Sequence, residues 1–559
     1  MTRPSADAPT DRFPVTAERS LGRSAGLVAV ASLASRLTGF VRQLAVVGVL
    51  GFAVLNDSYT ISNTLPNIVY ELLLGGVLTS VMIPLLVRAQ KDDADGGEAY
   101  TRRLITLTVV ALLVATAVAM LAAPLLTRLY ISGETSSTAD PQLATALAYL
   151  LLPQIFFYGL GALLGAVLNS RGGFGAFAWA PVLNNLVVLV VLGLYVVLPG
   201  EITLDPVRMG DPKLLVLGLG TTLGIAVQAL VLVPAVRRAG FRFRPLWGWD
   251  PRLTAAGGLV GWVVAYVLIG QAGYVITSRV ATSSQAGSFA VYSNTWLLLQ
   301  VPYGVLGVSL LTALMPRMSR AAAEGRTADV VSDLSLGSRL SAVFLVPISV
   351  LLTVFGTPVG VALFGLREAN LGGAAQLGTA LAVSAFGLLP YAITMLQLRV
   401  FYALTDSRTP TLIQLFTVAV KIPLLLLCPV FLAPADVVLG LAAANSVSFF
   451  AGAVLGQVLL RRRLGRVPTG EVLSTVGRTL VASLVAVLAA YGIVTLLTGV
   501  FDGLSPLGRA WATLAVTIVV SLPLTMVGLW LARVRELDPL IRRLERIVDR
   551  VIAGRSTPH

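Results

Sequence analysis

Residues 24–50 read SAGLVAVASLASRLTGFVRQLAVVGVL, an apolar run of the length that a helix needs to cross the hydrocarbon core of a bilayer. Arg36 and Arg42 are the only charged residues within it. A charge at mid-bilayer costs about 2.5–3.5 kcal/mol even on insertion scales, so it normally faces a polar cavity and has a function there. This stretch predicts a membrane-spanning helix that lines a binding site for an anion.

The composition sets the class of protein. The 559 residues are 56% hydrophobic and only 12% charged, and the mean hydropathy is +0.85. Soluble domains carry about a quarter charged residues, and a soluble chain of this length has no means of covering so much apolar surface. Long apolar segments in lipid must be helices, because their backbone groups need internal hydrogen bonds. We therefore expect an all-α polytopic membrane protein.

The residue types that many catalytic and metal sites need are almost absent. Cys428 is the only cysteine and His559 the only histidine. This excludes an intrachain disulfide, a thiolate zinc site and histidine-based catalysis. We expect a protein that is not an enzyme, with no catalytic residues, no metal ligands and no cofactor.

About fourteen segments have the length and apolar character of transmembrane helices. They are 24–50, 57–88, 103–130, 143–170, 174–198, 213–236, 253–280, 286–316, 338–364, 374–404, 410–432, 436–460, 475–499 and 509–532.

The loops between these segments fix their orientation. If the N-terminus is cytoplasmic, the inside regions hold 31 of the 41 Lys and Arg residues, and the outside regions hold 6. Such a bias is typical of positive cytoplasmic loops. We therefore interpret the net charge of +14 as a topology signal and not as a nucleic-acid surface. The prediction is a multi-pass plasma-membrane protein with both termini in the cytoplasm.

Two pairs of motifs recur at nearly the same offset. Pro84 and Pro316 each stand four residues before an Arg-Ala pair, and Ser170-Arg171 matches Ser407-Arg408. The offsets are 232 and 237 residues, and six segments fit within them. This predicts two six-helix lobes in parallel repeat followed by two further helices. In such transporters the site lies between the lobes, near the middle of the membrane.

The domain boundaries follow from these assignments. We expect a disordered cytoplasmic tail over 1–23, an N-lobe over 24–238, a C-lobe over 252–463, a final helix pair over 471–532, and a cytoplasmic amphipathic helix with its tail over 533–559. Apolar and Arg residues alternate at helical spacing over 540–551. This pattern fits a helix on the anionic leaflet, or one docked on the protein's own loops.

Polar residues form a stripe along each of the first two segments. On the second segment the stripe covers an arc of about 80° and consists of Asp57, Thr60, Thr64, Asn67 and Glu71. On the first segment it consists of Ser32, Ser35, Arg36, Gly39, Arg42 and Gln43. Lipid cannot satisfy such faces, so each lines a cavity or another helix. Arginine suits phosphate, because its planar guanidinium gives two parallel hydrogen bonds.

Two readings of these charges stay open. In the first reading, these side chains form a substrate site made of Arg36, Arg42, Asp57, Asn67 and Glu71. In the second reading, the two arginines form ion pairs with Glu71 and Asp57 between helices.

A cation also lies within the eleventh segment. Lys421 is flanked by apolar residues, so it is either a cavity charge or a coupling site. One hypothesis is that its ammonium replaces a bound monovalent cation, because no span of the second lobe carries a mid-membrane carboxylate. Arg399 is a second candidate for a cavity or coupling charge, although it lies nearer the cytoplasmic end of the tenth segment, from where it can extend to the membrane surface.

Several motifs resemble a known family. The first third of the chain resembles the N-terminal part of the MurJ (MviN) family in four motifs: SRLTGFVR at 35–42, NDSY at 56–59, LPN at 65–67 and IP at 83–84. In the second lobe, FYALTDSRTP at 401–410 looks like the corresponding motif of that family. Members of that family are lipid II flippases of the MOP exporter superfamily. The version of residues 65–76 found here, LPNIVYELLLGG, looks actinobacterial.

The resemblance implies a fourteen-helix flippase that exports lipid II, the undecaprenyl-pyrophosphate-linked peptidoglycan precursor, by alternating access. It assigns the family's functional arginines to Arg36 and Arg42 and its acid to Asp57, and it implies membrane lipids and cell-wall synthesis and division proteins as partners. This chain departs from the family at Gln43, where an Asp is frequent, and at Tyr70, where an Arg is common.

Other functions remain as alternatives. A MOP exporter of another lipid-linked glycan or of a small molecule fits the same architecture. A membrane-embedded transferase needs clustered acids for a metal, and these spans offer only Glu71 and Asp57. A non-transporting scaffold has no reason to keep buried arginines. Membrane potential or a monovalent cation is the expected energy source.

Overall fold

The computed structural model describes residues 15–72, 82–131, 139–202, 207–252, 257–534 and 536, and over these residues the chain is helical, without a β-strand. Twenty α-helices are labelled here in chain order: α1 Val15–Leu50, α2 Val54–Leu72, α3 Ile83–Asp92, α4 Glu98–Leu121, α5 Ala123–Tyr130, α6 Pro141–Leu151, α7 Gln154–Ser170, α8 Phe174–Val197, α9 Pro212–Leu230, α10 Leu232–Arg238, α11 Gly257–Thr282, α12 Ser288–Ala323, α13 Thr327–Phe364, α14 Leu371–Ser384, α15 Leu388–Ala403, α16 Arg408–Phe431, α17 Val437–Leu464, α18 Thr469–Leu496, α19 Thr498–Phe501 and α20 Pro506–Leu531.

The structure confirms the all-α membrane architecture. Within the described ranges, 12 helical stretches are long and apolar enough to cross a membrane, and each matches one of the fourteen predicted segments. The two remaining predictions are 57–88 and 286–316. The first covers most of α2, residues 73–81, which lie outside the described part, and the first half of α3. The second coincides with α12 from Ser288 onward. The exact count of fourteen is therefore approximate.

The predictions for the two termini can be compared with the structure only at the N-terminal end. Helix α1 begins at Val15, so residues 15–23 of the predicted disordered tail are helical. An apolar membrane helix readily extends beyond the bilayer when the residues that precede it are good helix formers. Residues 1–14 and the predicted amphipathic helix at 540–551 lie outside the described residues.

The chain divides into two compact units that do not follow the order of the sequence. The first unit comprises Met1–Ala45, Val69–Met120 and Tyr149–Ala256. In its described part, buried side chains of α3, α4, α7 and α10 form one hydrophobic core with Phe241, which follows α10; Leu86, Tyr100 and Leu163 belong to it.

The second unit comprises Val46–Ile68, Leu121–Ala148 and Gly257–His559. Two stretches of the first half of the chain thus pack with the second half. Helices α13 and α14 approach closely in this unit: Gly356 and Gly360 lie against Ala374 and Gly378, so that a Cβ at either α13 glycine would collide with the α14 backbone. Small residues in this spacing allow two helix backbones to approach in a membrane.

Helix α13 is bent at Phe355, whose backbone leaves the helical region at φ −114°. Pro358 follows three residues later. A proline inside a helix removes a hydrogen bond and its ring clashes with the carbonyl four residues earlier, so the bend has a local cause. The bend places the second part of α13 against α14.

Candidate transport site

The polar face of α1 packs against α8 within the first unit. Asn185 of α8 donates hydrogen bonds to the carbonyl oxygen of Ser35 (3.2 Å) and to the Thr38 hydroxyl (3.0 Å). Gly39 makes room for this amide, since a Cβ there would lie 3.4 Å from Asn185 Nδ2. The residues at 35, 38 and 39 therefore form the face of α1 that contacts α8.

The two arginines of α1 occupy different positions around this face. At 100° per residue Arg42 lies on the same side of the helix as Ser35, and Arg36 is turned by about a quarter of a circle. Leu33 and Leu37, which are 54% and 58% exposed, cover the far side. Arg36 is exposed and Arg42 is half-buried. Arg36 thus borders the polar stripe and the apolar face.

Neither arginine is neutralised by a neighbour in the part of the chain that the structure describes. Among those residues, the ion pairs within 4 Å include none with Arg36 or Arg42. Glu71 is exposed at the end of the described part of α2.

Asp57 is engaged differently, within the second unit. It is fully buried, and its carboxylate accepts a hydrogen bond from the backbone N–H of Gly287 (2.9 Å) and another from that of Ala290 (2.7 Å). These N–H groups belong to the start of α12, where a helix lacks internal acceptors. Asp57 therefore caps a helix 230 residues away in the sequence, and its negative charge lies at the positive end of that helix dipole.

Gly287 is required at this point for two reasons. Its φ of +83° lies in the left-handed region, which favours glycine. A Cβ at this position would also lie 2.5 Å from the Phe52 carbonyl oxygen, in the turn between α1 and α2. The backbone of α12 approaches the α1–α2 turn closely only because position 287 has no side chain.

Further contacts hold the same turn in the second unit. Asn370 donates a hydrogen bond to the Val47 carbonyl oxygen (3.3 Å), and the ring of Phe52 packs edge-on against that of Phe364, with centroids 6.2 Å apart. We call the contacts of residues 47–57 with 287–290, 364 and 370 the Asp57 junction. In the same unit, α5 and α11 are joined by a hydrogen bond that the Ser278 hydroxyl donates to the Tyr130 carbonyl oxygen (2.8 Å).

The rest of the α2 stripe is satisfied largely within its own helix. The Thr64 hydroxyl donates to the Thr60 carbonyl oxygen (2.8 Å), and the Asn67 amide donates to that of Asn63 (2.7 Å). Threonine and asparagine often bond to the preceding turn in this way inside a membrane helix. The nitrogen of Asn67, a predicted substrate ligand, is thus already occupied.

Lys421 is buried in α16, with 9% of its surface exposed. Its ammonium donates a hydrogen bond to the Tyr292 hydroxyl (3.2 Å) and lies 5.8 Å from the centre of the same ring. Tyr292 stands two residues after Ala290, so the lysine reaches the same end of α12 that Asp57 caps. Arg399 of α15 is exposed, and the structure does not bring it together with Lys421.

Sequence reasoning missed several of these partners. The backbone groups of Gly287 and Ala290 carry no signal in a sequence, because every residue but proline has an N–H. Asn185 does have a signal. It belongs to the pair Asn184-Asn185 in the middle of an apolar segment, which is costly in lipid without a partner. Over the described residues, no cluster of three or more acidic, Cys or His side chains is placed to hold a metal.

Comparisons with known proteins agree in one family. A family model described as "Lipid II flippase MurJ" matches residues 46–507. Two curated relatives are named "Probable lipid II flippase MurJ". That of Vibrio cholerae is 27% identical over 81% of this chain and 84% of its own length, and that of Rhizobium meliloti is 26% identical over 89% and 91%.

Solved structures share the fold. One is "Lipid II flippase MurJ, inward closed conformation", with a TM-score of 0.69 and 16% identity over 90% of this chain and 98% of the other. An inward-facing MATE family transporter of the MOP superfamily has a TM-score of 0.61 and 14% identity, over 78% of this chain and 98% of the other. At such identities the likeness confirms the transporter fold alone.

Proposed function

Because this chain belongs to the MurJ family of lipid II flippases, we propose that it moves lipid II from the cytoplasmic to the outer leaflet of the plasma membrane, with Arg36 and Arg42 holding the diphosphate of the headgroup. The observation that carries the site assignment is the pair of arginines on α1, neither of which has an ion-pair partner among the described residues. Lipid II itself then serves as their counter-ion.

The chemistry of the arginine side chain supports this role. A guanidinium stays protonated at every physiological pH and presents parallel N–H groups that match two oxygens of one phosphate. Arg36 and Arg42 are six residues apart, which is about 9 Å along a helix. Six residues also turn the helix by about 120°, so the two long side chains must bend toward each other to reach the two phosphates of one diphosphate.

The Asp57 junction acts as a gate in this proposal. The positive charge of the loops assigns the α1–α2 turn to the outer side of the membrane. Two N–H groups bonded to one carboxylate then close the outer side, and they must separate when the headgroup leaves. Bonds to a charged acceptor contribute about 1.5–3 kcal/mol each, a size that a substrate with different affinities for the two states can overcome.

Lys421 supplies the proposed coupling charge. In the described residues its ammonium faces a tyrosine hydroxyl and no carboxylate within 4 Å. A cation held there takes the place of a bound monovalent cation. Its displacement as the lobes alternate in access would let the membrane potential supply energy. One elementary charge moved through 100 mV is worth about 2.3 kcal/mol. Arg399, whose side chain is exposed, is the second proposed cavity or coupling charge.

The remaining assignments complete the proposal. The N-lobe over 24–238 and the C-lobe over 252–463 alternate in access, the helix pair over 471–532 stands beside them, and both termini lie in the cytoplasm. Asp57 serves the gate, and Glu71 with the oxygen of Asn67 contacts the sugar or peptide part of the headgroup. Cell-wall synthesis and division proteins are the proposed partners.

The test is complementation of a depleted host combined with a probe that reaches lipid II only in the outer leaflet. We expect Arg36→Glu and Arg42→Glu to insert normally and to leave the precursor inside. Arg462→Glu is the matched control, because Arg462 is an exposed arginine at the cytoplasmic end of α17. Full rescue by both α1 variants would remove the substrate assignment. Rescue of growth without outer-leaflet lipid II would instead favour export of another lipid-linked glycan.

A further inference from the structure

We propose that α13, α18 and the segment after α20 form a second anion site, which binds the phosphate of an anionic phospholipid of the cytoplasmic leaflet. A cavity of about 410 Å³ opens between these elements, within the second unit. Its polar lining includes Arg339, Glu471, Ser474, Arg478, Arg533 and Glu536. None of these residues belongs to the proposed lipid II site.

The charges in this cavity are not balanced. Arg339 forms ion pairs with both carboxylates, those of Glu471 and Glu536, the latter at 2.8 Å. Both carboxylates of the cavity are therefore paired with the same guanidinium, that of Arg339. Arg478 and Arg533 have no ion-pair partner in the described ranges, and a guanidinium nitrogen of Arg478 has only a weak bond of 3.4 Å to the Ala532 carbonyl oxygen. The three arginines and two carboxylates of the lining sum to a net charge of +1, and the guanidiniums of Arg478 and Arg533 remain to bind an anion.

The backbone at Arg533 is unusual. Its φ of +52° lies in the left-handed region, which a non-glycine residue seldom adopts. The turn ends α20, because the Arg533 N–H bonds to the Trp530 carbonyl oxygen and the Val534 N–H to that of Leu529. Glycine is the usual residue at such a helix end. An arginine here carries a conformational cost, and its side chain lines the cavity.

Apolar side chains beside the cavity indicate that the phosphate belongs to a lipid. At the end of α20, Trp530 and Leu531 are 62% and 67% exposed, three and two residues before Arg533. Tryptophan and arginine are typical of the zone where headgroups meet acyl chains. A phosphate bound by Arg478 and Arg533 would place its acyl chains along these residues. The positive-inside pattern assigns this end of α18 and α20 to the cytoplasmic leaflet, where anionic lipids attract basic side chains.

The experiment measures the lipids that remain bound to the purified full-length protein, by native mass spectrometry from detergent. The protein is offered phosphatidylglycerol, phosphatidylcholine or soluble glycerol phosphate. We expect retention of phosphatidylglycerol, and a loss of about tenfold for each arginine removed in Arg478→Gln/Arg533→Gln. Arg462→Gln/Arg466→Gln is the matched control, since both residues are exposed arginines after the apolar part of α17 and lie outside the cavity.

A second variant separates folding from binding. Arg533→Gly removes the side chain and suits the left-handed backbone, so it should unfold at a temperature no lower than the parent and retain about tenfold less lipid. Equal retention by parent and double variant would overturn the proposal, as would an equal loss in the control pair. Binding of glycerol phosphate as tight as that of the lipid would assign the cavity to a free phosphate and overturn the lipid source.

Discussion

Replacing Asp57 by asparagine tests the gate most sharply, because the change removes one charge and almost no volume. In the parent, one carboxylate accepts two N–H groups at 2.9 and 2.7 Å. The amide of asparagine offers a single oxygen, and its NH₂ group would face an N–H donor. One hydrogen bond is therefore lost, and the other becomes a bond between neutral groups.

The size of the effect follows from those two bonds. Two hydrogen bonds to a charged acceptor contribute about 3–6 kcal/mol together, and one neutral bond retains about 1 kcal/mol. The closed junction should therefore lose about 2–5 kcal/mol. This corresponds to an opening equilibrium that is roughly 30-fold to several thousand-fold more favourable.

Hydrogen–deuterium exchange measures that equilibrium at the two donors. We expect faster exchange at the amides of Gly287 and Ala290 in Asp57→Asn, with unchanged exchange in α18 and α20. Asp436→Asn is the control, because Asp436 stands at the start of α17 without a side-chain capping bond. Unchanged exchange at 287–290 would refute the reasoning, and so would an equal acceleration in the control.

Three further predictions concern single residues. Gly287→Ala should open the same junction, since the new Cβ meets the Phe52 carbonyl oxygen in a left-handed backbone; accelerated exchange at residues 287–290 is the measurement, and parent-like exchange would count against it. Lys421→Met should make transport in proteoliposomes less dependent on the imposed potential, and transport that is identical to the parent at every potential would exclude the coupling role. The hydrogen bond from Arg252 holds the pKa of Asp250 below its usual range, so this contact stabilises the fold above the unfolded-state pKa and is lost as the pH falls through the folded-state value. Thermal unfolding of the parent should therefore lose stability on acidification more steeply than that of Arg252→Gln, and equal slopes would contradict this.

Much of the fold was predictable because a membrane imposes a length on every helix. The apolar run at 24–50 already indicated α1, and the twelve confirmed spans follow from the same rule. The segment 57–88 is described only in part: its polar stripe lies on the 19-residue helix α2, and Ile83–Asp92 forms α3.

The candidate site was only partly predictable, because side chains chose partners that a sequence does not mark. Asp57 was recognised as important, yet its partners are backbone N–H groups 230 and 233 residues away. Asn67 was predicted to contact substrate, whereas its amide nitrogen donates to the preceding turn of its own helix. The polarity of a helix face shows that it needs partners and does not show which ones it has.

The central claim is that the two guanidiniums of α1 bind a diphosphate, and its most direct measurement is the affinity of the purified protein for undecaprenyl diphosphate. For Arg36→Gln/Arg42→Gln we expect a Kd weakened by about 100-fold, since each charge-assisted contact is worth about tenfold. The Arg462→Gln control should keep the parent value. An unchanged Kd in the double variant would contradict the account.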